Sequence, residues 1–316
     1  MNIIGPDALV FGVDDIAATA QYLTDYGLTA VNADARGGRF ETLDGTAIII
    51  KAKDDATLPA PLATGNSLRK TIYGVADAAT VEAIATELGK DREVRRLADG
   101  SIEAVDDLGF CLGFQVTVRR TLHLAAEPIN APGAAPQRAP NQLGVDVQAA
   151  IPQPRTIGHF AAFVPDAAKG EAFYVKRLGF RVTDRLVGAG MFLQAGGSME
   201  HHALFLIQTP PHMQGIEHIA FHLGGPNDLM VAGFEFQKKG YQSFWGPGRH
   251  TMGSNWFWYF NSPLGCRFEF DADMDLHDKS WTPRELPASA DSSQVYLLQA
   301  REKWAPVGGP PPGGKH

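Results

Sequence analysis

Apolar positions along this chain switch repeatedly between a period of two and a period near 3.6, and each switch marks a short element. ALVFGV (8–13), TAIIIKA (46–52) and RKTIYGV (69–75) read as strands, whereas DDIAATAQYLTDYG (14–27) and VADAATVEAIATELGK (75–90) place apolar residues at helical spacing. SIEAVDDLGFCLGFQV (101–116) carries two strands across a turn. The order is strand, helix, then several strands, twice over.

Between 125 and 154 the periodicity stops and proline and alanine dominate, as in AAEPINAPGAAPQRAP, which predicts a linker. The pattern then restarts. TIGHFAAFV (156–164) is a strand, DAAKGEAFYVKRLGF (166–180) a helix, and MFLQAGG and HALFLIQ are strands. The glycines of GAGMFLQAGG follow a helix instead of joining a strand to one, so they predict a hairpin region and not a dinucleotide fingerprint. A fourth round follows in IEHIAFHL (216–223), the helix NDLMVAGFEFQKKGY (227–241), a glycine-rich connection, and the strands WFWYF and CRFEFD.

Four segments therefore share one grammar, and the halves align internally. VDDIAATAQYLTDYGL matches VPDAAKGEAFYVKRLGF, and DLGFCLGF matches PLGCRFEF. The expected architecture is α+β, with four βαβββ modules paired into two domains: 1–122, a linker at 123–154, and 155–282. Residues 283–316 are expected to be a docked extension ending in disorder, because PVGGPPPGGKH has too little apolar surface to order itself.

Composition narrows the class. A chain of 316 residues with 44% hydrophobic and 20% charged residues is ordinary for a globular protein of two cores. Its net charge of −7 argues against a nucleic-acid surface or a polybasic membrane patch. No stretch reads as a secretory signal or a membrane span, and two cysteines, Cys111 and Cys266, make no disulfide framework, so a reducing cytoplasm is the expected compartment.

The candidate chemistry sits in the second half. All ten histidines lie after Leu122. On alternating strands, His159 shares a face with Ala161, His218 with Ala220 and His222, and Glu269 with Arg267 and Asp271. The small alanines leave room above the sheet. Two imidazoles and a carboxylate at repeat-equivalent positions suit a divalent ion such as Fe(II), with positions left open for a chelating substrate and O₂. In the first half the matching positions fall on Ala8, Lys70 and Gly113, which cannot form such a site. His222 lies about 13 Å of strand from His218, too far for the same ion, and its role stays open. His123, His212, His277 and His316 read as structural or solvated. Trp245, Trp256, Trp258, Phe192 and Phe173 are candidates for bordering an aromatic substrate or for the core.

These residues, with His250 in GRHTMGSNWFWYF, Tyr259 nine residues later, and the Pro263-Leu264-Gly265 turn before Glu269, resemble the type I extradiol ring-cleavage dioxygenases of the vicinal oxygen chelate superfamily. The likeness is greatest to the two-domain catechol and biphenyl-diol enzymes. It implies that His159, His218 and Glu269 hold Fe(II), or Mn(II), and that one histidine of the 201–202 pair, for which His202 is favoured, is the acid/base. It also implies that His250 and Tyr259 bind the oxygens of a substituted catechol, that O₂ is co-substrate, and that the product is a hydroxymuconic semialdehyde-type acid. A homo-oligomer is expected on the same ground. The alternatives are a metal-dependent lyase or isomerase of the same superfamily, a hydroxyphenylpyruvate-type oxygenase, and a small-molecule sequestration protein.

Overall fold

A computed structural model describes residues 1–146 and 148–298; the side chain of Ala290 is not described, and the 306–316 tail read above as disordered lies outside the described residues. The first module comprises β1 (Ile3–Val13), α1 (Ile16–Asp25), β2 (Thr29–Asp34), β3 (Gly37–Glu41) and β4 (Ala47–Ala52). The second comprises β5 (Leu68–Val75), α2 (Ala78–Leu88), β6 (Arg95–Arg96), β7 (Ile102–Val105) and β8 (Cys111–Val116). Together they build one eight-stranded sheet, ordered β2-β3-β4-β1-β5-β8-β7-β6.

The same plan recurs after the irregular stretch 118–155. The third module is β9 (Thr156–Val164), α3 (Ala167–Leu178), β10 (Arg181–Val187), β11 (Gly190–Gln194) and β12 (Leu204–Gln208). The fourth is β13 (Gly215–His222), α4 (Pro226–Lys238), β14 (Ser243–His250), β15 (Trp256–Asn261) and β16 (Arg267–Ala272). The C-terminal segment adds β17 (Arg284–Pro287), α5 (Ala290–Ser293) and β18 (Gln294–Leu297), and the second sheet runs β17-β10-β11-β12-β9-β13-β16-β15-β14-β18. The extension thus contributes both edge strands. The glycine-rich connection before His250 is in fact strand β14, which pairs with β15 despite a cis Gly246-Pro247 bond.

Local chemistry explains the helix starts. Asp15, Asp77 and Asp166 each accept from a backbone N–H three residues on, the N-cap pattern, and Pro226 occupies the first turn of α4, where its missing N–H costs nothing. Gly179 ends α3 at φ 75°, the left-handed turn that glycine adopts without strain.

The two sheets share one hydrophobic core. Helix α1 of the first module packs on the fourth, with Tyr26 stacked on Phe270 of β16 at 4.0 Å and edge-on to Phe236 of α4 at 5.3 Å. Helices α2 and α3 meet through Arg177, which donates to Glu87 and Asp91. A division of the chain into units at the 123–154 stretch is accordingly a proposal about topology, since the apolar cores are continuous across it. The Tyr26 hydroxyl is buried and has no hydrogen-bond partner among the described residues. Removing it while keeping the ring should relieve an unpaired polar group, so Tyr26→Phe is expected to raise stability by about 1 kcal/mol, read as a higher urea midpoint at constant m.

Candidate metal centre

Strands β9, β13 and β16 are neighbours in the middle of the second sheet, and their register builds the site. Ala220 pairs with His159 on one side and Glu269 on the other, while His218 pairs with Ala161 and Arg267. The histidines and the glutamate therefore crowd around two alanines whose short side chains leave space. In the first sheet the equivalent row is Ala8-Ile72-Gly113, which has no ligating group. There Lys70 instead bonds Glu103 at 2.5 Å, and Arg95 pairs with the same carboxylate.

His159 Nε2, His218 Nε2 and Glu269 Oε2 form a nearly equilateral triangle, with separations of 3.3 Å between the imidazoles and 3.4 and 3.5 Å to the carboxylate. All three side chains are buried. Neither Glu269 oxygen has a hydrogen-bond partner among the described residues. A buried carboxylate without hydrogen bonds, facing two imidazole nitrogens, is costly unless a cation completes it, and bonds of about 2.0–2.2 Å to one ion are within reach of all three atoms. The donor set fits a divalent metal.

The surroundings prepare the ligands. His218 Nδ1 meets the Glu217 carboxylate, which also pairs with Arg267, so the His218 proton is held on Nδ1 and Nε2 is left to ligate. Burial works against a charge on His218, but Glu217 and Glu269 outweigh it and raise its pKa. Burial lowers that of His159, against the opposing pull of Glu269 and Asp271. For Glu269, burial would raise the pKa, but His159 and His250 hold it below the usual carboxylate range.

Above the triangle lies a cavity of about 260 Å³. His202 lines it with its ring centroid 4.0 Å from that of His159, and its pKa is driven well below the ordinary histidine value by burial and by the neighbouring imidazoles. Tyr259 lies opposite Glu269 in the β15–β16 ladder, and its hydroxyl is 3.1 Å from His250 Nε2. His250 Nδ1 donates to the Ser293 carbonyl at 2.8 Å, and its Nε2 also lies 3.4 Å from Glu269 Oε1. Leu186, Phe192, Phe205 and Ile207 supply apolar lining. Among the five aromatics considered from the sequence, Phe192 and Trp245 line the cavity, whereas Phe173 and Trp258 are buried in the core and Trp256 sits under Arg249.

Five of the six residues singled out from the sequence, His159, His202, His218, His250 and Tyr259, line one cavity, and Glu269 completes the triangle with His159 and His218. His222 does not line the cavity: its ring bridges Asp271 and Glu200 behind His159, and although burial opposes its charge, those two carboxylates raise its pKa well above the ordinary range. Asp271 Oδ2 is 3.7 Å from His159 Nδ1. His277 stacks on Trp281, His123 and His212 are exposed, and His316 lies outside the described residues. Burial raises the Cys111 and Cys266 thiols to about 11 and about 12, which leaves both unreactive.

Sequence reasoning missed the groups behind the cavity. Asp184 on β10 is fully buried; burial would raise it, but His201 and Arg284 pull it down to about 2. Glu217 and Ser293 were also passed over. A charged residue in the middle of RVTDRLV, a segment otherwise at strand spacing, is the one signal that pointed to Asp184.

Residues 156–270 match the family described as the Glyoxalase/Bleomycin resistance protein/Dioxygenase superfamily. Over 122 residues, 39% of the chain, it is 34% identical to Metapyrocatechase 2 of Cupriavidus necator, a match that spans 38% of that relative's length. Over 295 residues it is 25% identical to Biphenyl-2,3-diol 1,2-dioxygenase of Paraburkholderia xenovorans, covering 89% of this chain and 91% of that one. The fold is similar to that of the Mn(II)-bound glyoxalase from Novosphingobium aromaticivorans, with a TM-score of 0.72 at 20% identity over 93% of this chain and 90% of the other. Among the described residues no helix is long and apolar enough to cross a membrane.

Proposed function

We propose that this chain, whose residues 156–270 belong to the Glyoxalase/Bleomycin resistance protein/Dioxygenase superfamily, is an extradiol dioxygenase that opens the ring of a catechol carrying an apolar substituent. The observation that carries this reading is that the two histidines of the His159-His218-Glu269 triangle line a cavity together with His202, His250, Tyr259 and a set of apolar side chains. The named relatives, a metapyrocatechase and a biphenyl-diol dioxygenase, support it.

His159, His218 and Glu269 would hold Fe(II) or Mn(II), which when bound supplies a centre where a catechol diolate and O₂ are chelated together. The chain's own residues do the rest. Tyr259 and His250 form a hydrogen-bonded pair positioned to take one diol oxygen, and His202 is the base that receives a phenolic proton and later returns it. Leu186, Phe192, Phe205 and Ile207 seat the ring substituent and exclude water. In the net reaction, the ring C–C bond adjacent to the diol breaks and both atoms of O₂ enter one product, a hydroxymuconic semialdehyde-type acid.

A metal-dependent isomerase is the second reading, favoured by the fold likeness to a Mn(II)-bound glyoxalase. Anaerobic purification with metal analysis, followed by oxygen-electrode assays on catechol, 3-methylcatechol and 2,3-dihydroxybiphenyl, decides between them. Stoichiometric iron or manganese with one O₂ consumed per diol is the expected result, with the substituted diols turned over at lower KM than catechol. Bound metal with no O₂ uptake on any diol would overturn the ring-cleavage reading.

A further inference from the structure

His202 does not stand alone at the cavity wall. Its Nδ1 lies 2.9 Å from His201 Nδ1, and the two rings are nearly perpendicular at 89°. On its other side, His201 Nε2 is 2.8 Å from Asp184 Oδ2. Asp184 is anchored in turn by Arg284 of β17, whose backbone N–H and guanidinium both donate to it, with the Nη2 contact at 2.5 Å. Asp184, His201 and His202 are all buried, at 0%, 0% and 4% exposure.

With His201 neutral, the donor and acceptor count along this line is fixed. An ionised carboxylate only accepts, so His201 carries its proton on Nε2. A neutral His201 then offers Nδ1 as an acceptor, and the contact between the two Nδ1 atoms requires His202 to donate from Nδ1. The Nε2 lone pair of His202 is left for the cavity. We propose that Asp184 and His201 are positioning residues for ring cleavage, a carboxylate–histidine pair that fixes His202 in the tautomer whose Nε2 can take the substrate proton. The adjacent histidines have different tasks: His202 meets the substrate, and His201 orients it from behind.

The arrangement also gives the C-terminal segment a task. Arg284 holds Asp184, and Ser293 holds His250 through its carbonyl, so β17 and α5 each fix the orientation of one cavity histidine. The register agrees, because β17 runs parallel to β10 with Arg284 opposite Asp184.

The decisive substitution is Asp184→Asn. An amide has one acceptor oxygen, which Arg284 claims, and its NH₂ would donate to His201 Nε2. That forces the His201 proton to Nδ1, and His202 becomes an acceptor at Nδ1 with its proton on Nε2. Imidazole ¹⁵N NMR of the metal-free protein reads this directly. The expected result is His202 protonated on Nδ1 in the parent protein and on Nε2 in Asp184→Asn. Arg284→Ala, which removes the guanidinium anchor but keeps the carboxylate, should retain the parent tautomer. His201→Phe, which removes the acceptor without adding charge, should leave His202 in a mixture of both tautomers.

The kinetic arm rests on the ring-cleavage reading and the tautomer arm does not, so failure of one is separable from failure of the other. With 2,3-dihydroxybiphenyl, kcat in Asp184→Asn and His201→Phe should fall about 10–100-fold at little change in KM and with full metal content. An Nε2–H tautomer for His202 in the parent protein, or an unchanged tautomer in Asp184→Asn, would overturn the proposal. So would an Arg284→Ala variant that shifts the tautomer as far as Asp184→Asn does.

Discussion

Glu269→Gln is expected to fold normally, retain no divalent metal after dialysis, and lose on the order of 10³-fold or more in turnover, a barrier increase of several kcal/mol. Glu269 is the anionic member of a donor set whose other two members are neutral, and it is buried with neither oxygen hydrogen-bonded among the described residues. Glutamine fills the same volume, so the core should not collapse, but a neutral amide binds a divalent cation far less strongly than a carboxylate. The same substitution separates binding from folding. Excess Mn(II) should raise the melting temperature of the parent protein, because a ligand at 100 times its Kd adds about 2.7 kcal/mol to the folded state, and should leave that of the variant unmoved. His159→Ala should behave in the same way. Stoichiometric metal in either variant would remove the triangle as the binding site.

How much of this was legible beforehand depends on whether the information is local. The βαβββ order could be read because strand and helix periods alternate cleanly and aspartate caps mark α1, α2 and α3. Internal alignment went further and placed Ala8, Lys70 and Gly113 opposite His159, His218 and Glu269. The strand registers agree, since Ala8 and Gly113 flank Ile72 as His159 and Glu269 flank Ala220. Strands β2, β3 and β10 were not recognised: TAVNAD is exposed along its whole length, and RVTDRLV carries charges at both ends of a buried centre. Strand β14 was hidden by its glycines and proline, which argue against a strand on propensity and are tolerated here next to a register shift.

The site divides along the same line. Ligands spaced by a repeated strand can be found by aligning the repeats, but Asp184 reaches His201 from 17 residues away and Arg284 reaches Asp184 from 100. No periodicity links such residues; the sheet order does, by placing β17 against β10. The choice between His201 and His202 illustrates the difference. Adjacent residues near a turn can point in opposite directions, and only the packing shows that His202 lines the cavity while His201 bonds Asp184.

His202→Phe should retain the metal and bind the diol with little change in KM, yet lose about 10²–10⁴-fold in kcat, the range for removing a positioned acid/base. The ring of phenylalanine fits a pocket already bordered by Phe192, whose centroid is 4.9 Å from that of His202, so the cavity should keep its shape. Burial first, and then the imidazoles of His159, His201, His218 and His250, lower the pKa of His202 well below the ordinary histidine value. The sign follows: the neutral base is present at and above neutral pH, and activity should fall only as pH drops through that depressed value. A bound cation next to the ring acts in the same direction. The parent protein should therefore keep its kcat at pH values where an exposed histidine would already be half protonated, and the acid limb should vanish from the residual activity of His202→Phe. A variant that lost metal along with activity would make His202 a ligand, and one with unchanged kcat would leave the proton transfer to His250 and Tyr259.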